Sequence, residues 1–251
     1  MKRAIKKILR RFNYNIVKLG QNNPKVPADF ESLHKNIFEK VKNNTMTSAE
    51  RIYSLIEAVK YIERNNIAGD IVECGVWKGG SMMAVAEMLM NLKSTNRELY
   101  LYDTYEGMSK PTEHDKTWYG ESASTILSDT DKEKNLVWAY SALDTVKKGI
   151  ESTHYPADKI KYVKGKVEDT IPATVPESIA LLRLDTDWYE STAHELLYLF
   201  PLLNKGGVLI LDDYGHWQGA RKAVDEYISQ NAITILLNRI DETGRIAIKQ
   251  N

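Results

Sequence analysis

The chain has 251 residues, of which 43% are hydrophobic and 27% are charged, so it is long enough to bury one sizeable core. Its 34 basic and 34 acidic residues cancel, and beyond the N-terminus no basic patch with interleaved aromatic residues suggests a nucleic-acid substrate. The single cysteine, Cys74, cannot form an internal disulfide, and no apolar run approaches the roughly 20 residues that span a bilayer. We therefore expect a soluble, cytoplasmic protein with one large domain.

The N-terminus differs from the rest of the chain in its charge. Eight basic residues precede the first acidic residue, Asp29, and apolar residues lie among them at near-helical spacing: Ile5, Ile8, Leu9, Phe12 and Ile16. This pattern favours a basic tail or a helix packed on a partner subunit, and weak contact with a membrane surface or glycolipid is the alternative. We assign residues 1–45 to a basic extension with helices and residues 46–251 to the main domain.

Strand and helix signals alternate along the main domain. Residues 47–50 (Thr-Ser-Ala-Glu) predict a capping box that begins a helix, and Gly69 is expected to end it. Short apolar runs typical of buried parallel strands follow at 71–76, 99–103, 160–163, 179–184 and 208–211. Helices are predicted at 80–92, 131–150, 191–203 and 218–230, and two final strands at 234–237 and 245–248. This order predicts a doubly wound, Rossmann-like α/β fold that binds ligands beyond the carboxyl ends of its strands.

The segment 107–130 interrupts this alternation. It is polar, rich in Ser, Thr, Asp and Glu, and too long for an ordinary connection between a strand and a helix. It predicts an excursion over the site, either a functional lid or a surface insertion.

An acidic residue and several glycines meet where the first predicted strand leads into a helix. Glu73 is followed by Gly75, Gly79, Gly80 and Ser81. Glycine permits close approach of a ligand, and a helix N-terminus offers free amide donors. The pattern is not the dinucleotide fingerprint, and a carboxylate here would repel a pyrophosphate. It can instead meet the cationic methionine end of S-adenosylmethionine, directly or through water.

The second predicted strand ends at Asp103, roughly 20 to 30 residues beyond the glycine turn. A carboxylate at this position can accept two hydrogen bonds from a ribose diol. The order of the two motifs favours an adenosine cofactor. A purely structural turn is the alternative, since a glycine-rich turn with a later Asp occurs in many folds.

Carboxylates follow two further strands of the predicted sheet. Asp185 follows the fourth strand, and Asp212 and Asp213 follow the fifth. Adjacent parallel strands would bring these side chains together at one edge, where they would repel one another without a cation. Oxygen ligands and the lack of a nearby Cys or His cluster favour Mg²⁺ over zinc. Helix N-caps or solvated strand ends are the alternative.

These motifs carry a family resemblance. From about Thr47 to the C-terminus, the chain resembles the macrocin O-methyltransferase family, which methylates sugars of macrolide and related natural products. The resemblance rests on GDIVECGVWKGG at 69–80, DTYEG at 103–107, LDTDWYEST at 184–192 and GGVLILDDYGHWQGARKAVDEY at 206–227. The first 25 residues are expected to carry no part of it.

The resemblance implies a class I methyltransferase fold: a seven-stranded, mostly parallel sheet with helices on both faces and an N-terminal helical extension. It also implies S-adenosylmethionine and Mg²⁺ as cofactors. The implied metal ligands are Asp185, Asp212 and Asp213, and Asp185 would also be the catalytic base. The implied cofactor-binding residues are Thr47, Glu73, Cys74, Gly75, Ser81, Asp103, Thr104, Val167 and Glu168.

The expected reaction is methyl transfer to a sugar hydroxyl on a natural product or glycan. A methyltransferase for catechol-like phenols and a noncatalytic, cofactor-binding relative are the alternatives, and only the acceptor pocket separates the two enzymes. The expected partners are a small glycoside or glycan acceptor and further copies of the chain in a homo-oligomer, with no nucleic acid.

Overall fold

The computed structural model describes residues 26–132 and 134–250. A seven-stranded sheet lies at its centre, with the strand order β3-β2-β1-β4-β5-β7-β6. β1 to β5 are parallel, and β7 runs antiparallel to β5. The strands are β1 (Asp70–Cys74), β2 (Leu99–Asp103), β3 (Ile160–Lys164), β4 (Ile179–Leu184), β5 (Leu203–Leu211), β6 (Asn238–Arg239) and β7 (Arg245–Ile248). This sheet confirms the predicted fold class.

Helices cover both faces of the sheet, because strands buried on both sides need apolar partners on both sides. The side chains of each strand alternate between two cores: Ile71 and Leu181 face one, and Val72 and Leu182 face the other. The first core is covered by α1 (Ser32–Val41), α2 (Ala49–Arg64), α3 (Gly80–Leu92) and α5 (Leu143–Glu151). The second is covered by α6 (Val167–Thr170), α7 (Tyr189–Leu199) and α8 (Gln218–Gln230). α4 (Ala123–Ser128) lies in the excursion and packs in a third, smaller cluster.

The site lies where β1 and β4 end, and a glycine permits their close approach. Gly75 follows β1 with a φ of 83°, and a side chain there would place its Cβ 2.0 Å from the carbonyl oxygen of Asp185. The amide of Asp185 donates to the carbonyl of Cys74 at 2.8 Å, which extends the β1–β4 pairing beyond the two strands. The predicted glycine turn at Gly75 and the predicted metal ligand Asp185 are therefore neighbours.

The predicted helix at 131–150 was wrong. A short 3-10 helix covers Leu136–Trp138, and α5 begins only at Leu143. Ala139 ends the 3-10 helix with a φ of 43°, and the carbonyl of Trp138 accepts a hydrogen bond from Met108 in the excursion. The tertiary contact with the excursion replaces the helical hydrogen bonds that a continuous helix would need.

Several predicted boundaries also need correction. The cap of α2 is Ser48 rather than Thr47, since the Ser48 hydroxyl accepts from the amide of Arg51 at 3.1 Å, and the helix ends at Arg64 rather than at Gly69. The helix predicted at 191–203 covers Tyr189–Leu199, and β5 begins at Leu203 rather than at 208.

The strand predicted at 234–237 was also wrong: the pairing lies at Asn238–Arg239, because the turn to β7 fixes the register. The carboxylate of Asp241 in this turn accepts from the amides of Thr243 and Gly244.

None of the helices within 26–132 and 134–250 is both long and apolar enough to cross a membrane. The predicted amphipathic pattern of the basic N-terminus lies outside the described residues. The boundary proposed at residue 45 falls between α1 and α2, both of which pack on the first core.

Candidate active site

Asp103 at the end of β2 shapes the turn that follows β1. Its Oδ2 accepts from the backbone amides of Val76 at 2.7 Å and Trp77 at 3.0 Å, and its Oδ1 accepts from the amide of Tyr105 at 2.6 Å. Trp77 and Tyr105 both have positive φ, near 50°, which residues other than glycine rarely adopt. The Asp103 carboxylate therefore stabilises two turns in unusual backbone conformations. Burial raises the pKa of Asp103, and these amide donors oppose the rise.

The N-terminus of α3 faces the same cavity. Gly79 has a φ of 82°, and Gly80 packs so closely on the preceding loop that a Cβ there would lie 2.5 Å from the carbonyl of Asn44. The Gly80 amide donates to that carbonyl at 2.9 Å. Ser81 and Thr47 line the cavity, and the buried Thr47 hydroxyl has no hydrogen-bond partner among the described residues. An unpartnered buried hydroxyl at a cavity wall is suited to a polar ligand.

The three predicted metal ligands meet at the ends of β4 and β5. One carboxylate oxygen from each of Asp185, Asp212 and Asp213 lies within 4.8 Å of the other two. β4 and β5 pair in parallel up to Leu184 and Leu211, so the residues that follow each strand emerge at the same edge. Asp212 is buried, whereas Asp185 keeps 27% of its side-chain surface. The three carboxylates therefore lie close together, as the sequence predicted.

Two arginines among these carboxylates were missed. Arg183 on β4 is 4% exposed, and its guanidinium contacts Glu73 at 2.7 Å, Asp185 at 2.8 Å and Asp212 at 2.6 Å. Arg51 on α2 forms ion pairs with Asp212 and, at 2.9 Å, with Asp241. Repulsion among the carboxylates therefore does not by itself require a metal, because the fold supplies two cations of its own.

A signal for one of these arginines was present in the sequence. Arg183 interrupts an otherwise apolar run, and its register partner on β1 is Glu73, itself a charge within an apolar strand. Two opposite charges in buried strands indicate a buried ion pair. Arg51 gave no comparable signal, since a charged residue in the first turn of an amphipathic helix is ordinary.

Burial raises the pKa of every carboxyl group at this edge for which a shift is resolved. The pKa of Asp185 lies well above its ordinary value although Arg183 opposes the rise. For Asp213 burial is again the largest cause, followed by the charge of Asp187. Burial, together with the charge of Asp185, raises the pKa of Asp187 to about 7. Burial also raises the pKa of Glu73 to about 7, against the effect of Arg183. Burial therefore favours the protonated form of these carboxyl groups.

One cavity of about 460 Å³ joins the two sets of residues. Most of the predicted site residues line it: Thr47, Gly75, Ser81, Asp103, Thr104, Val167, Glu168, Asp185, Asp212 and Asp213. Glu73 and Cys74 do not, because the first is fully buried against Arg183 and the second faces the core beneath α7. Cavity-lining residues that were not assigned include Arg51, Asp187 and His216.

The site fits the two groups that the family resemblance implies. The volume of the cavity falls within the range of about 300–1,000 Å³ that is usual for small-molecule and cofactor sites. Oxygen ligands from Asp185, Asp212 and Asp213 are those that Mg²⁺ prefers.

The sequence model of the protein family described as Macrocin-O-methyltransferase (TylF) matches residues 6–248. The chain belongs to the macrocin O-methyltransferase family. The match begins at residue 6, so the expectation that the first 25 residues carry no part of the resemblance was wrong.

Characterised relatives in this family cover most of the chain. Demethyldecarbamoylnovobiocin O-methyltransferase of Streptomyces niveus is 29% identical over 80% of this chain and 74% of its own length. A tetracenomycin-C rhamnosyl 4'-O-methyltransferase of Streptomyces olivaceus is 31% identical over the same shares. Mycinamicin III 3''-O-methyltransferase of Micromonospora griseorubida is 29% identical over 80% of this chain and 76% of its own.

Solved structures agree on the fold. The O-methyltransferase NovP superposes with a TM-score of 0.73 at 28% identity, over 83% of each chain. The calicheamicin methyltransferase CalS11 superposes with a TM-score of 0.58 at 15% identity, over 93% of this chain and 99% of that one, a likeness in fold alone.

Proposed function

We propose that this chain transfers the methyl group of S-adenosylmethionine to a hydroxyl of a sugar on a natural product or glycan, with assistance from Mg²⁺. The observation that carries the proposal is the single cavity that joins the Gly75–Asp103 turn to the carboxylates of Asp185, Asp212 and Asp213. A methyl donor on one side then faces an activated hydroxyl on the other.

The cofactor side supports an adenosine ligand. Oδ2 of Asp103 already accepts two backbone amides, whereas Oδ1 accepts only that of Tyr105 and keeps a lone pair for a ribose hydroxyl. Ser81 and Thr47 offer hydroxyl groups to the same cavity, and Val167 and Glu168 of the short helix α6, which also line it, are the proposed contacts of the adenine. Glu73 acts behind this wall through Arg183, with no direct access to the cavity. Its proposed role is thus to fix Arg183.

The carboxylates of Asp185, Asp212 and Asp213 would hold Mg²⁺, which when bound supplies Lewis-acid stabilisation of a developing alkoxide. The chain's own part is proton transfer and alignment. Asp185 is the proposed base, since its carboxylate is partly exposed to the cavity and lies beside the other proposed metal ligands. Arg183 contacts Asp185 Oδ2 at 2.8 Å and fixes the direction of that carboxylate.

The relatives support a sugar acceptor over a phenol. The tetracenomycin enzyme is named for methylation of a rhamnosyl group at its 4' position, and the mycinamicin enzyme for a 3'' position. Met108 and Ser109, at the start of the excursion at 107–130, line the cavity together with Leu136 and Val137 from the following segment. We expect these residues to cover the acceptor and exclude water from it.

Methyl transfer from labelled S-adenosylmethionine to panels of glycosides and catechols tests the proposal. We expect labelled glycosides, loss of turnover in EDTA and recovery with added Mg²⁺. Methylation of catechols alone would replace the sugar with a phenol as acceptor. Full turnover after exhaustive chelation would remove the metal and leave the methyl transfer. Binding of the cofactor without turnover on any acceptor would favour a noncatalytic relative.

A further inference from the structure

We propose that Arg51 is a built-in competitor of the divalent cation: its guanidinium contacts Asp212 and gives up that contact when a metal binds. The inference rests on the metal role proposed above. Arg51 is not one of the expected metal ligands. If it competes with the ion, it limits the metal affinity of this chain.

Asp212 is the carboxylate at which the competition arises. Its Oδ1 accepts from Nη2 of Arg183 at 2.6 Å, and its Oδ2 accepts from Nη1 of Arg51. The side chain is 5% exposed, so each oxygen is already engaged by a cation in a buried setting. A metal at Asp212 would lie within a few ångströms of a guanidinium, and repulsion between cations is poorly screened there.

Arg51 is the arginine that can move. Arg183 is 4% exposed and lies within β4, and although it also lines the cavity it is held by contacts with three carboxylates. Arg51 is 16% exposed, lines the cavity, and contacts one carboxylate of the proposed metal site. Displacement of Arg183 would leave Glu73 buried without its partner, whereas displacement of Arg51 leaves Asp212 with Arg183 and the metal.

Asp241 offers Arg51 a second anchor outside the proposed metal site. Its Oδ2 accepts from Nε of Arg51 at 2.9 Å and from the hydroxyl of Ser48 at 2.6 Å. Its other oxygen holds the amides of Thr243 and Gly244 in the β6–β7 turn. The guanidinium can therefore rotate away from Asp212 about an Nε–carboxylate contact that remains formed. Metal binding would thus shift a side chain that links the start of α2 to this turn.

The test is the affinity for Mn²⁺, followed by the electron paramagnetic resonance signal of the free ion, in the absence of cofactor and acceptor. We expect Arg51→Gln to bind Mn²⁺ about tenfold more tightly than the natural chain, because a local positive charge is removed. Arg51→Lys keeps the charge but cannot span Asp212 and Asp241, and should lie between the two. Arg221→Gln, which removes an exposed arginine on α8 that pairs with Asp225, controls for net charge and should match the natural chain.

The possible outcomes separate this inference from the proposed function. Equal or weaker Mn²⁺ binding by Arg51→Gln, in a natural chain that binds the ion, would overturn the competition and leave the metal role intact. An absence of binding in both folded proteins would overturn both. Tighter binding that Asp213→Asn abolishes in the Arg51→Gln background would locate the ion at the proposed ligands. If Arg51→Gln fails to fold, as judged by circular dichroism, the same comparison is made with Arg51→Lys.

Discussion

The two sides of the cavity are built in different ways. The proposed cofactor side is a set of turns: Asp103 accepts backbone amides from the segments that follow β1 and β2, and Gly80 donates its amide to the carbonyl of Asn44 between α1 and α2. The acidic side is an ion network, in which Asp185 and Asp212 are balanced by Arg51 and Arg183 from other parts of the chain. Backbone hydrogen bonds fix the shape of the first side. The second side consists of ion pairs in which each charge is compensated by its neighbours.

This difference indicates how far the effects of a substitution should extend on each side of the cavity. A substitution on the cofactor side removes a few hydrogen bonds and should act locally. A substitution in the ion network leaves a buried partner uncompensated, so it should affect stability, protonation and cation binding together. The following expectations, from the largest effect to the smallest, test whether the two sides behave so differently.

Arg183→Met should lower the free energy of unfolding by roughly 3–5 kcal/mol, because Glu73 and Asp212 lose a buried partner. Urea denaturation measures this change. Arg221→Met is the matched control, since it breaks an exposed pair with Asp225 that contributes about 0–1 kcal/mol. Similar losses in both variants would mean that the network is no more coupled than a surface pair.

Asp185→Asn should reduce turnover by about 10²–10⁴-fold, because the proposed base is lost. Cofactor affinity should change little, since the Asp103 turn lies on other strands. Single-turnover rates and calorimetry measure the two quantities, and the exposed Asp225→Asn serves as the control. Turnover within twofold of the natural chain would eliminate Asp185 as the base and leave alignment of the reactants as the source of catalysis.

Glu73→Gln should flatten the pH dependence of stability between about pH 4.5 and 7. The folded-state pKa of Glu73 is raised from 4.5 to about 7, so the folded chain binds more protons than the unfolded chain in this window. Stability from this group is present below pH 4.5 and is lost as the pH rises through 7, by about 3 kcal/mol in all. Denaturation at a series of pH values tests this against Glu190→Gln, an exposed control. Parallel curves for Glu73→Gln and the natural chain would contradict the expectation.

Asp103→Ala should weaken S-adenosylmethionine binding by about 1–3 kcal/mol, through loss of charge-assisted hydrogen bonds to the ribose. Asp103→Asn keeps an oxygen acceptor for the turn, so it should lose less affinity and less stability. Calorimetry on both variants measures the difference. Unchanged affinity in a folded Asp103→Ala variant would remove this carboxylate from the cofactor site and leave it a role in the β1–α3 turn alone.

The sequence by itself determined the fold class and the position of the glycine turn after β1. Buried strands carry continuous apolar runs and the glycine turn follows β1 directly, so these features depend on neighbours in the chain. The ends of β4 and β5 could likewise be placed together, because parallel neighbours end at one edge. Helices α3 and α8 were predicted with the observed boundaries for the same reason, since their apolar periodicity is local.

Only the tertiary structure decided what balances the acidic side. Arg51 and Asp212 are 161 residues apart, and Arg183 and Glu73 are 110 residues apart, so no local pattern pairs them. The segment after residue 131 was mispredicted for the same reason, because the carbonyl of Trp138 accepts from the amide of Met108 in the excursion instead of continuing a helix. Local periodicity reports on hydrogen bonds and burial within one element. Ion pairs between elements depend on which strands become neighbours and on the register between them, and both are fixed only when the sheet is assembled.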